Sequence, residues 1–418
     1  MKQAKRLINY AIDNNLRLAE AGKTPIAISL EASAGIGKTS LIQQIAEERN
    51  MGFTKISLHE LEESGDLLGY PELEYECQMA KRVKDKEGNV KMQVMPGTVW
   101  LNAKQMDMMD KSTAIKQTGK TRMGYAKPAW VPEYNENGTI VCLDDYVRAN
   151  PQLLQSCMEL ILTQRYTSWS LPKKTTICLT NNPDDGSNNV NSLDEAQRTR
   201  FLNYDVAWDM DAWSQWAEKA NVDGRCINFV MSYSNELFNA DAEGNRICNP
   251  RSFVMFADMI GGIKDWDNPE SLSFIQMIAQ GCFKDEGSRF GTMFAAFIRN
   301  KMHLLIQPKE MLLGGWDRVK DILENTVYDS NGQYRPDIAS LLERRFSNYV
   351  NAWLDSDEQT PIAKVKERIL DFINLPEKGG KILFNKDLFL HMIKSITSEH
   401  KNQTNKLLFE PKIAVMLS

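Results

Sequence analysis

The chain has 418 residues, of which 42% are hydrophobic and 25% charged, and its formal net charge is −5. This length suggests two or three domains with sizeable cores and excludes a disulfide-stapled miniprotein, while the composition argues against a disordered or collagen-like chain. Because 50 basic residues stand against 55 acidic ones, any binding of nucleic acid or membrane must come from a local patch.

No apolar run reaches the roughly 18 residues that a membrane span needs, and the first residues lack the apolar centre of a signal peptide. We therefore expect a soluble cytoplasmic protein without membrane contact. The seven cysteines are an odd, widely spaced set without a CxxC pair, and the four histidines are scattered. These patterns predict reduced packing cysteines rather than a disulfide framework or a zinc site.

The first elements along the chain alternate between helix and strand. A helix is predicted over Lys5–Ala21, a buried strand over Ile26–Leu30 and a second helix from about Thr39 to Glu48. Three further apolar or β-branched runs are predicted to be strands: Phe53–Leu58, Thr139–Leu143 and Thr175–Leu179. Because these runs alternate with helical segments, we expect an α/β layered domain with a parallel sheet.

The loop after the first strand carries the most specific motif. The segment EASAGIGKTS (Glu31–Ser40) matches the phosphate-binding loop, with Ala32 in place of the motif's first glycine. Small residues there allow backbone N–H groups and a helix N-terminus to converge on a phosphate. We expect Lys38 to reach the β- and γ-phosphates and the Thr39 hydroxyl to bind Mg²⁺. The residues expected to bind the nucleotide are consecutive: Ala34, Gly35, Ile36, Gly37, Lys38, Thr39 and Ser40.

The segment Lys81–Lys127 departs from the average charge. It contains eleven Lys or Arg against four Asp or Glu, a net charge of +7, which leaves −12 for the rest of the chain. It is also rich in methionine, at positions Met92, Met95, Met106, Met108, Met109 and Met123. We expect a mobile basic insert over about residues 78–130 that contacts a polypeptide or a nucleic acid; the alternative is a solvated surface loop.

The segment TIVCLDD (Thr139–Asp145) predicts a buried strand that ends in two carboxylates. Ligands of open α/β sheets bind at the carboxyl ends of the strands. Asp144 is therefore expected to hold the Mg²⁺ shell, and Asp145 to orient or deprotonate an attacking water. This pattern is weak alone and gains weight from the phosphate-binding loop upstream.

The segment TTICLTNNP (Thr175–Pro183) predicts another buried strand, which ends in amides. An Asn at this position can hydrogen-bond the attacking water or the γ-phosphate. We favour Asn182 for this role, with Asn181 as the fallback. Asn-Asn-Pro is also an ordinary turn sequence.

Three arginines complete the set of candidates. Arg198 and Arg200, in EAQRTRF, lie at the edge of the domain, from where an arginine could reach a neighbouring subunit's γ-phosphate. Arg251 follows an expected N-cap, Asn249, and the first helical residue, Pro250. A cation there opposes the helix dipole, so we expect it to meet a phosphate.

Beyond Phe201 the pattern is mostly helical. We expect three regions: a nucleotide-binding core over residues 1–205, a small helical lid over 206–264 and a helical extension over 265–418.

Together these motifs resemble an AAA+ ATPase, and within that superfamily the MoxR-like group. Six segments carry the resemblance, in the family's order: EASAGIGKTS, SGDLLGYP (Ser64–Pro71), CLDDYVRANPQLLQSCMELILTQR (Cys142–Arg165), LTNNP (Leu179–Pro183), EAQRTRF (Glu195–Phe201) and NPRS (Asn249–Ser252). They cover residues 26 to about 260. The segment Gly281–Asn300 also resembles the helical extension of some bacterial members.

The resemblance implies a five-stranded parallel sheet of order 5-1-4-3-2, a helical lid, and an insert in the second helix of the core. It also implies a hexameric ring with ATP and Mg²⁺ between subunits, which acts as a chaperone-like remodelling motor beside a partner with a von Willebrand factor A domain. Carried over to this sequence, Lys38 and Thr39 bind nucleotide and metal, and Asp144 binds the metal. Asn182 and Arg251 are sensors, and Arg200 is the arginine finger.

The sequence departs from the family at two places. Family members usually have Glu where Asp145 stands, one methylene longer, so we expect slow hydrolysis. Arg198 competes with Arg200 for the finger role. Two other functions stay open: a nucleic-acid-directed motor or loader that uses the basic insert, and a nucleotide-gated scaffold with little turnover.

Overall fold

The structure, a computed structural model, describes residues 1–84, 90–109, 113–183, 191–239, 246–354, 362–376, 380–399 and 411–413. The chain divides into two compact units. The first unit is Gln3–Ala207, and the second is Trp208–Ser418 together with Met1–Lys2.

The strands all lie in the first unit in the described part of the chain. In chain order they are β1 (Ala27–Glu31), β2 (Gly52–Ser57), β3 (Pro71–Lys84), β4 (Val90–Val94), β5 (Val99–Leu101), β6 (Thr113–Tyr125), β7 (Thr139–Asp144), β8 (Arg165–Tyr166), β9 (Trp169–Ser170), β10 (Thr175–Asn181) and β11 (Phe201–Asp205). Its helices are α1 (Lys2–Glu20), α2 (Lys38–Glu48), α3 (Ser64–Leu68), α4 (Ala103–Asp107), α5 (Pro151–Thr163) and α6 (Glu195–Arg198).

A parallel sheet of five strands forms the centre of this unit. The strand order is β11-β1-β10-β7-β2, which is 5-1-4-3-2 when the five strands are counted along the chain. This order confirms the predicted α/β fold class. Every residue of β10 is buried, as are the first five of β7, because helices cover both faces of the sheet.

The last strand of this sheet, β11, is the fifth strand that the resemblance implies. The residue pattern did not locate it, because we placed the change to a helical pattern at Phe201. In β11 only Phe201 is buried, and the other four residues are exposed or half-buried. The strand lies at one edge of the sheet and pairs with β1 alone. A short, mostly solvated edge strand gives neither an apolar run nor a clear alternation, so the pattern does not reveal it.

The described residues of the predicted basic insert form an antiparallel sheet rather than the surface loop that was its alternative. That the insert is mobile and contacts a partner stays a prediction. Strand β3 pairs with β6 along one side and with β4 and β5 along the other. Most of β6 is exposed. A sheet that is solvated on much of its surface lacks the alternation of buried and exposed residues by which strands are predicted.

The second unit is helical, as the sequence predicts. Its helices in the described residues are α7 (Met210–Lys219), α8 (Gly224–Phe238), α9 (Pro250–Ile260), α10 (Pro269–Phe283), α11 (Gly287–Arg299), α12 (Pro308–Leu313), α13 (Trp316–Val327), α14 (Pro336–Leu354), α15 (Ile362–Asn374) and α16 (Lys386–Glu399). One cluster of buried apolar side chains extends from Trp213 to Ile413. The division of this unit into a lid and an extension stays a prediction.

All seven cysteines are free thiols, and all but Cys282 are buried. Burial raises the pKa of the Cys157 and Cys178 thiols to about 12, so these side chains are neutral packing residues. Within the described residues, no helix combines the length and the apolar character that crossing a membrane requires.

Candidate functional site

The candidate site lies at the carboxyl ends of three neighbouring strands, β1, β10 and β7. The register pairs Glu31 with Asn181 and Leu179 with Leu143. The residues that follow these pairs therefore meet at one edge of the sheet. This edge is where open α/β sheets bind their ligands.

The loop between β1 and α2 makes a tight turn at two glycines. Gly35 has φ 78° and Gly37 has φ 95°, in the left-handed region that favours glycine. At the start of the loop, the Ala32 N–H donates a 3.1 Å hydrogen bond to the Asn181 carbonyl. Gly37 is the N-cap of α2 and offers no side-chain cap. The first N–H groups of this helix are thus available to an anion.

The predicted phosphate-binding residues occupy this loop and the helix start. Ala34, Gly35, Ile36 and Gly37 lie in the loop, and Lys38, Thr39 and Ser40 form the first turn of α2. Ala34 and Ser40 are exposed, whereas Lys38 is buried.

The Lys38 ammonium is turned back onto its own loop and onto the end of β10. It donates hydrogen bonds to the carbonyls of Ala32 (2.7 Å) and Ser33 (3.2 Å) and to Asn182 Oδ1 (2.9 Å). Only 7% of the residue is exposed. Two carbonyl oxygens and one amide oxygen thus hold a nearly enclosed ammonium at hydrogen-bond distances that phosphate oxygens could also occupy.

Asp144, the last residue of β7, is held by three side chains. Its Oδ1 accepts hydrogen bonds from Thr39 Oγ1 and Thr180 Oγ1, each 2.6 Å long, and its Oδ2 lies 2.9 Å from Lys55 Nζ. Burial raises the pKa of Asp144, but the bonds from Thr180, Thr39 and Lys55 outweigh it and keep the pKa below its ordinary value. The carboxylate is therefore ionised at neutral pH.

Asp145 follows directly and adopts a left-handed backbone conformation, with φ 51°. This conformation is uncommon outside glycine, although Asp and Asn tolerate it best. The Asp145 N–H donates a 3.1 Å hydrogen bond to Thr180 Oγ1, and its Oδ1 accepts a 3.3 Å bond from Asn182 Nδ2. The turn points the carboxylate toward Asn182 rather than along the strand.

The two asparagines after β10 have different surroundings. Asn182 joins Lys38 to Asp145, because its amide oxygen accepts from the former and its amide nitrogen donates to the latter. Asn181 instead donates a 2.8 Å bond to Ser29 Oγ inside the sheet, and its own Oδ1 has no hydrogen-bond partner among the described residues. Of the two candidates, only Asn182 is hydrogen-bonded to the other candidate site residues.

Arg198 and Arg200 lie just before the edge strand β11. Arg198 ends α6, is exposed, and donates from Nε to the Leu193 carbonyl over 3.0 Å. Arg200 is half-buried and donates from Nη1 to the Ala196 carbonyl. In the described part of the chain, neither arginine is hydrogen-bonded or ion-paired to Lys38, Asp144 or Asp145.

Arg251 lies in the second unit, in the first turn of α9, and is exposed. The N-cap prediction is confirmed: Asn249 Oδ1 accepts a 2.9 Å bond from the Ser252 N–H, and Pro250 is the first helical residue. The arginine therefore stands at the positive end of the helix, as the sequence suggests.

Two residues of the site are missing from our sequence prediction, Thr180 and Lys55. Thr180 belongs to the LTNNP segment (Leu179–Pro183). Its hydroxyl directly precedes the two candidate asparagines at the strand end, and this position is the signal that could have identified it. Lys55 is a lone charge within the predicted strand Phe53–Leu58. Its neighbour in the sheet becomes known only from the register, which pairs it with Cys142.

The donors at this edge fit a hard divalent cation that arrives with a phosphate. Thr39 Oγ1 and Asp144 Oδ1 are oxygen donors 2.6 Å apart, of the kind that Mg²⁺ prefers. Among the described residues, no three His, Cys, Asp or Glu side chains gather to hold a metal by themselves. Mg²⁺ usually keeps several waters and takes its other ligands from substrate phosphates, which suits a site with so few protein donors.

The sequence matches no protein-family model and no curated protein. Solved structures similar to the chain include the RuvB Holliday junction branch migration motor of Thermotoga maritima, with 14% identity over 68% of this chain and 71% of that one and a TM-score of 0.32. They also include a candidate ATPase from Cytophaga hutchinsonii, with 13% identity over 86% of this chain and 79% of that one and a TM-score of 0.27. The fold class is assigned from the strand order of the parallel sheet and not from these similarities.

Proposed function

We propose that the chain binds ATP with Mg²⁺ at the loop between β1 and α2 and hydrolyses it. One observation carries the proposal: hydrogen bonds connect the loop lysine, Lys38, through Asn182 to Asp145 at the ends of three adjacent strands. A lysine on the phosphates and a side chain that orients the attacking water are recurring parts of sites for phosphoryl transfer to water.

The first step is the binding of the triphosphate. The uncapped N–H groups of α2 and the loop receive the phosphates, and the Lys38 ammonium exchanges the carbonyls of Ala32 and Ser33 for phosphate oxygens. Thr39 and Asp144 would hold Mg²⁺, which neutralises charge on the β- and γ-phosphates when bound.

The attack of water depends on Asp145 and Asn182. Asp145 orients the water and accepts its proton, while Asn182 fixes the carboxylate and donates to the water or to the γ-phosphate. The carboxylate of Asp145 stands on a shorter side chain than Glu would provide, so its contact with the water is longer. We propose slow turnover for this reason.

We further propose that the chain acts as an AAA+ ATPase of the MoxR-like kind, in a homo-oligomeric ring of six subunits. Support comes from the arginines before β11: in the described residues, neither is bonded to its own chain's Lys38, Asp144 or Asp145, so each is available to an adjacent subunit. Arg200, or Arg198 in its place, is the proposed finger, and Arg251 the proposed second sensor.

The proposed task is chaperone-like remodelling of a protein partner in the cytoplasm, of which a von Willebrand factor A domain protein is one candidate. The charge pairs on the antiparallel sheet of strands β3 to β6 favour a protein partner over a nucleic acid. Lys120 pairs with Glu76 at 3.4 Å and Arg122 with Glu74 at 2.7 Å. These pairs neutralise cations that a phosphate backbone would need.

A phosphate-release assay on the purified full chain tests the proposed reaction. We expect Mg²⁺-dependent release of phosphate from ATP, with turnover lost in Asp145→Asn. The matched variant is Asp107→Asn, which removes a carboxylate from helix α4, between β5 and β6. It should hydrolyse ATP like the wild type. Equal turnover in wild type and Asp145→Asn would overturn the proposal.

A further inference from the structure

A positive charge lies beside the proposed metal ligand. Lys55 Nζ is 2.9 Å from Asp144 Oδ2, the carboxylate oxygen opposite the one that accepts from Thr39 and Thr180. The Asp144 side chain is 15% exposed and the Lys55 side chain 45%. An enclosed carboxylate is therefore paired with a cation that still reaches water.

Positioning of Asp144 does not require this lysine. The two hydroxyl bonds to Oδ1 already fix the carboxylate, and both hydroxyls stand on β-branched side chains with few rotamers. A partly exposed ion pair also adds little to stability. Among the residues that the structure describes, Lys55 is the cation paired with Asp144, so its distinct contribution is the charge that balances the carboxylate.

We propose that Lys55 is an exchangeable cation for Asp144. It neutralises the carboxylate in the nucleotide-free protein and leaves Oδ2 when Mg²⁺ arrives with the triphosphate. The inference rests on the proposed function. A lysine suits the exchange because its ammonium stands on a flexible four-carbon stem and can move without the backbone. Since the ammonium and the metal compete for one carboxylate, Lys55 raises the Mg²⁺ concentration at which nucleotide binds.

Calorimetry tests this competition without reference to turnover. Binding of the slowly hydrolysed analogue ATPγS is measured across a series of Mg²⁺ concentrations for wild type, Lys55→Met and Lys23→Met. Lys23 is exposed and precedes β1, at the opposite end of that strand from the site, so its substitution matches the change in net charge. We expect the half-saturating Mg²⁺ concentration to fall about fivefold in Lys55→Met, or about 1 kcal/mol, and to stay unchanged in Lys23→Met.

Two results would overturn the inference: an unchanged Mg²⁺ dependence in Lys55→Met, or an equal shift in Lys23→Met, which would assign the effect to net charge. Lys55→Gln replaces the methionine variant if circular dichroism shows that the latter does not fold. Nucleotide binding in EDTA gives the metal-free affinity of each variant, so that the effect of the substitution on metal-free binding is separated from its effect on the Mg²⁺ dependence. Absence of binding in the wild type under every condition would refute the proposed function itself, whereas normal binding with unchanged metal dependence would refute this inference alone.

Discussion

Lys38 and Asn182 are 144 positions apart in the chain, yet the lysine ammonium donates a 2.9 Å hydrogen bond to the asparagine amide oxygen. The parallel register of β1 and β10 brings them together, because it places the phosphate-binding loop beside the end of β10. The lysine is thereby held at the site before any nucleotide binds.

Replacing Lys38 with Ala should weaken nucleotide binding by about 10- to 150-fold. Hydrogen bonds to charged groups contribute about 1.5–3 kcal/mol each, and here the partner is a triphosphate. Fluorescence titration with a labelled ATP analogue measures the change. Lys23→Ala, which removes an exposed lysine, is the matched control, and equal affinity of the two variants would contradict the assignment.

The two asparagines after β10 should respond differently. Asn182→Ala should lower turnover by about 10²-fold, the scale of losing one preorganised donor, with binding retained. Asn181→Ala should leave turnover nearly intact and lower the melting temperature by about 2–4 °C, because it loses a buried bond to Ser29 worth about 1 kcal/mol. Steady-state kinetics and thermal unfolding separate these effects, and the reverse pattern would exchange the roles of the two residues.

Lengthening the carboxylate in Asp145→Glu should raise a low basal turnover by about tenfold, which corresponds to about 1.4 kcal/mol of barrier. The added methylene shortens the contact between the carboxylate and the attacking water. A rate in Asp145→Glu at or below that of the wild type would favour the nucleotide-gated scaffold over a weakened enzyme.

Arg200→Ala should bind ATP but fail to hydrolyse it, because the arginine is proposed to act on an adjacent subunit. Mixing Arg200→Ala with Lys38→Ala chains under conditions of subunit exchange should recover part of the activity, since each variant supplies what the other lacks. The same mixture made with Arg198→Ala decides between the two arginines. No recovery in either mixture would rule out a finger acting between subunits.

Glu343 should make a contribution to the stability of the second unit that is lost as the pH rises through the acid range. Burial raises the pKa of Glu343 from its ordinary value of 4.5, although His391 and Ser347 oppose this with hydrogen bonds. The folded chain therefore keeps a proton that the unfolded chain has released, and stability falls as the pH rises from about 4.5 through the raised pKa. The melting temperature of Glu343→Gln minus that of the wild type should therefore increase between pH 4.5 and 7, and a constant difference would contradict this pKa shift.

Strands β7 and β10 could be predicted from the sequence. They are buried on both faces of the sheet, so each appears as a continuous run of apolar or β-branched residues. The solvated strands β6 and β11 lack such runs and escaped prediction. Lys38 and the two carboxylates could each be predicted from a short stretch of sequence. Lys38 directly follows the glycines of the phosphate-binding loop, and Asp144 and Asp145 are consecutive residues at the end of β7. Lys55 could not, because its contact with Asp144 arises from the pairing of β2 with β7 rather than from any spacing in the chain.

Isothermal titration of the purified full chain with ATP in the presence of Mg²⁺ tests most directly whether the loop between β1 and α2 holds a triphosphate. We expect saturable heat that is lost in Lys38→Ala. Absence of binding heat in the wild type, or equal binding by the Lys38→Ala chain, would contradict a nucleotide site at this loop.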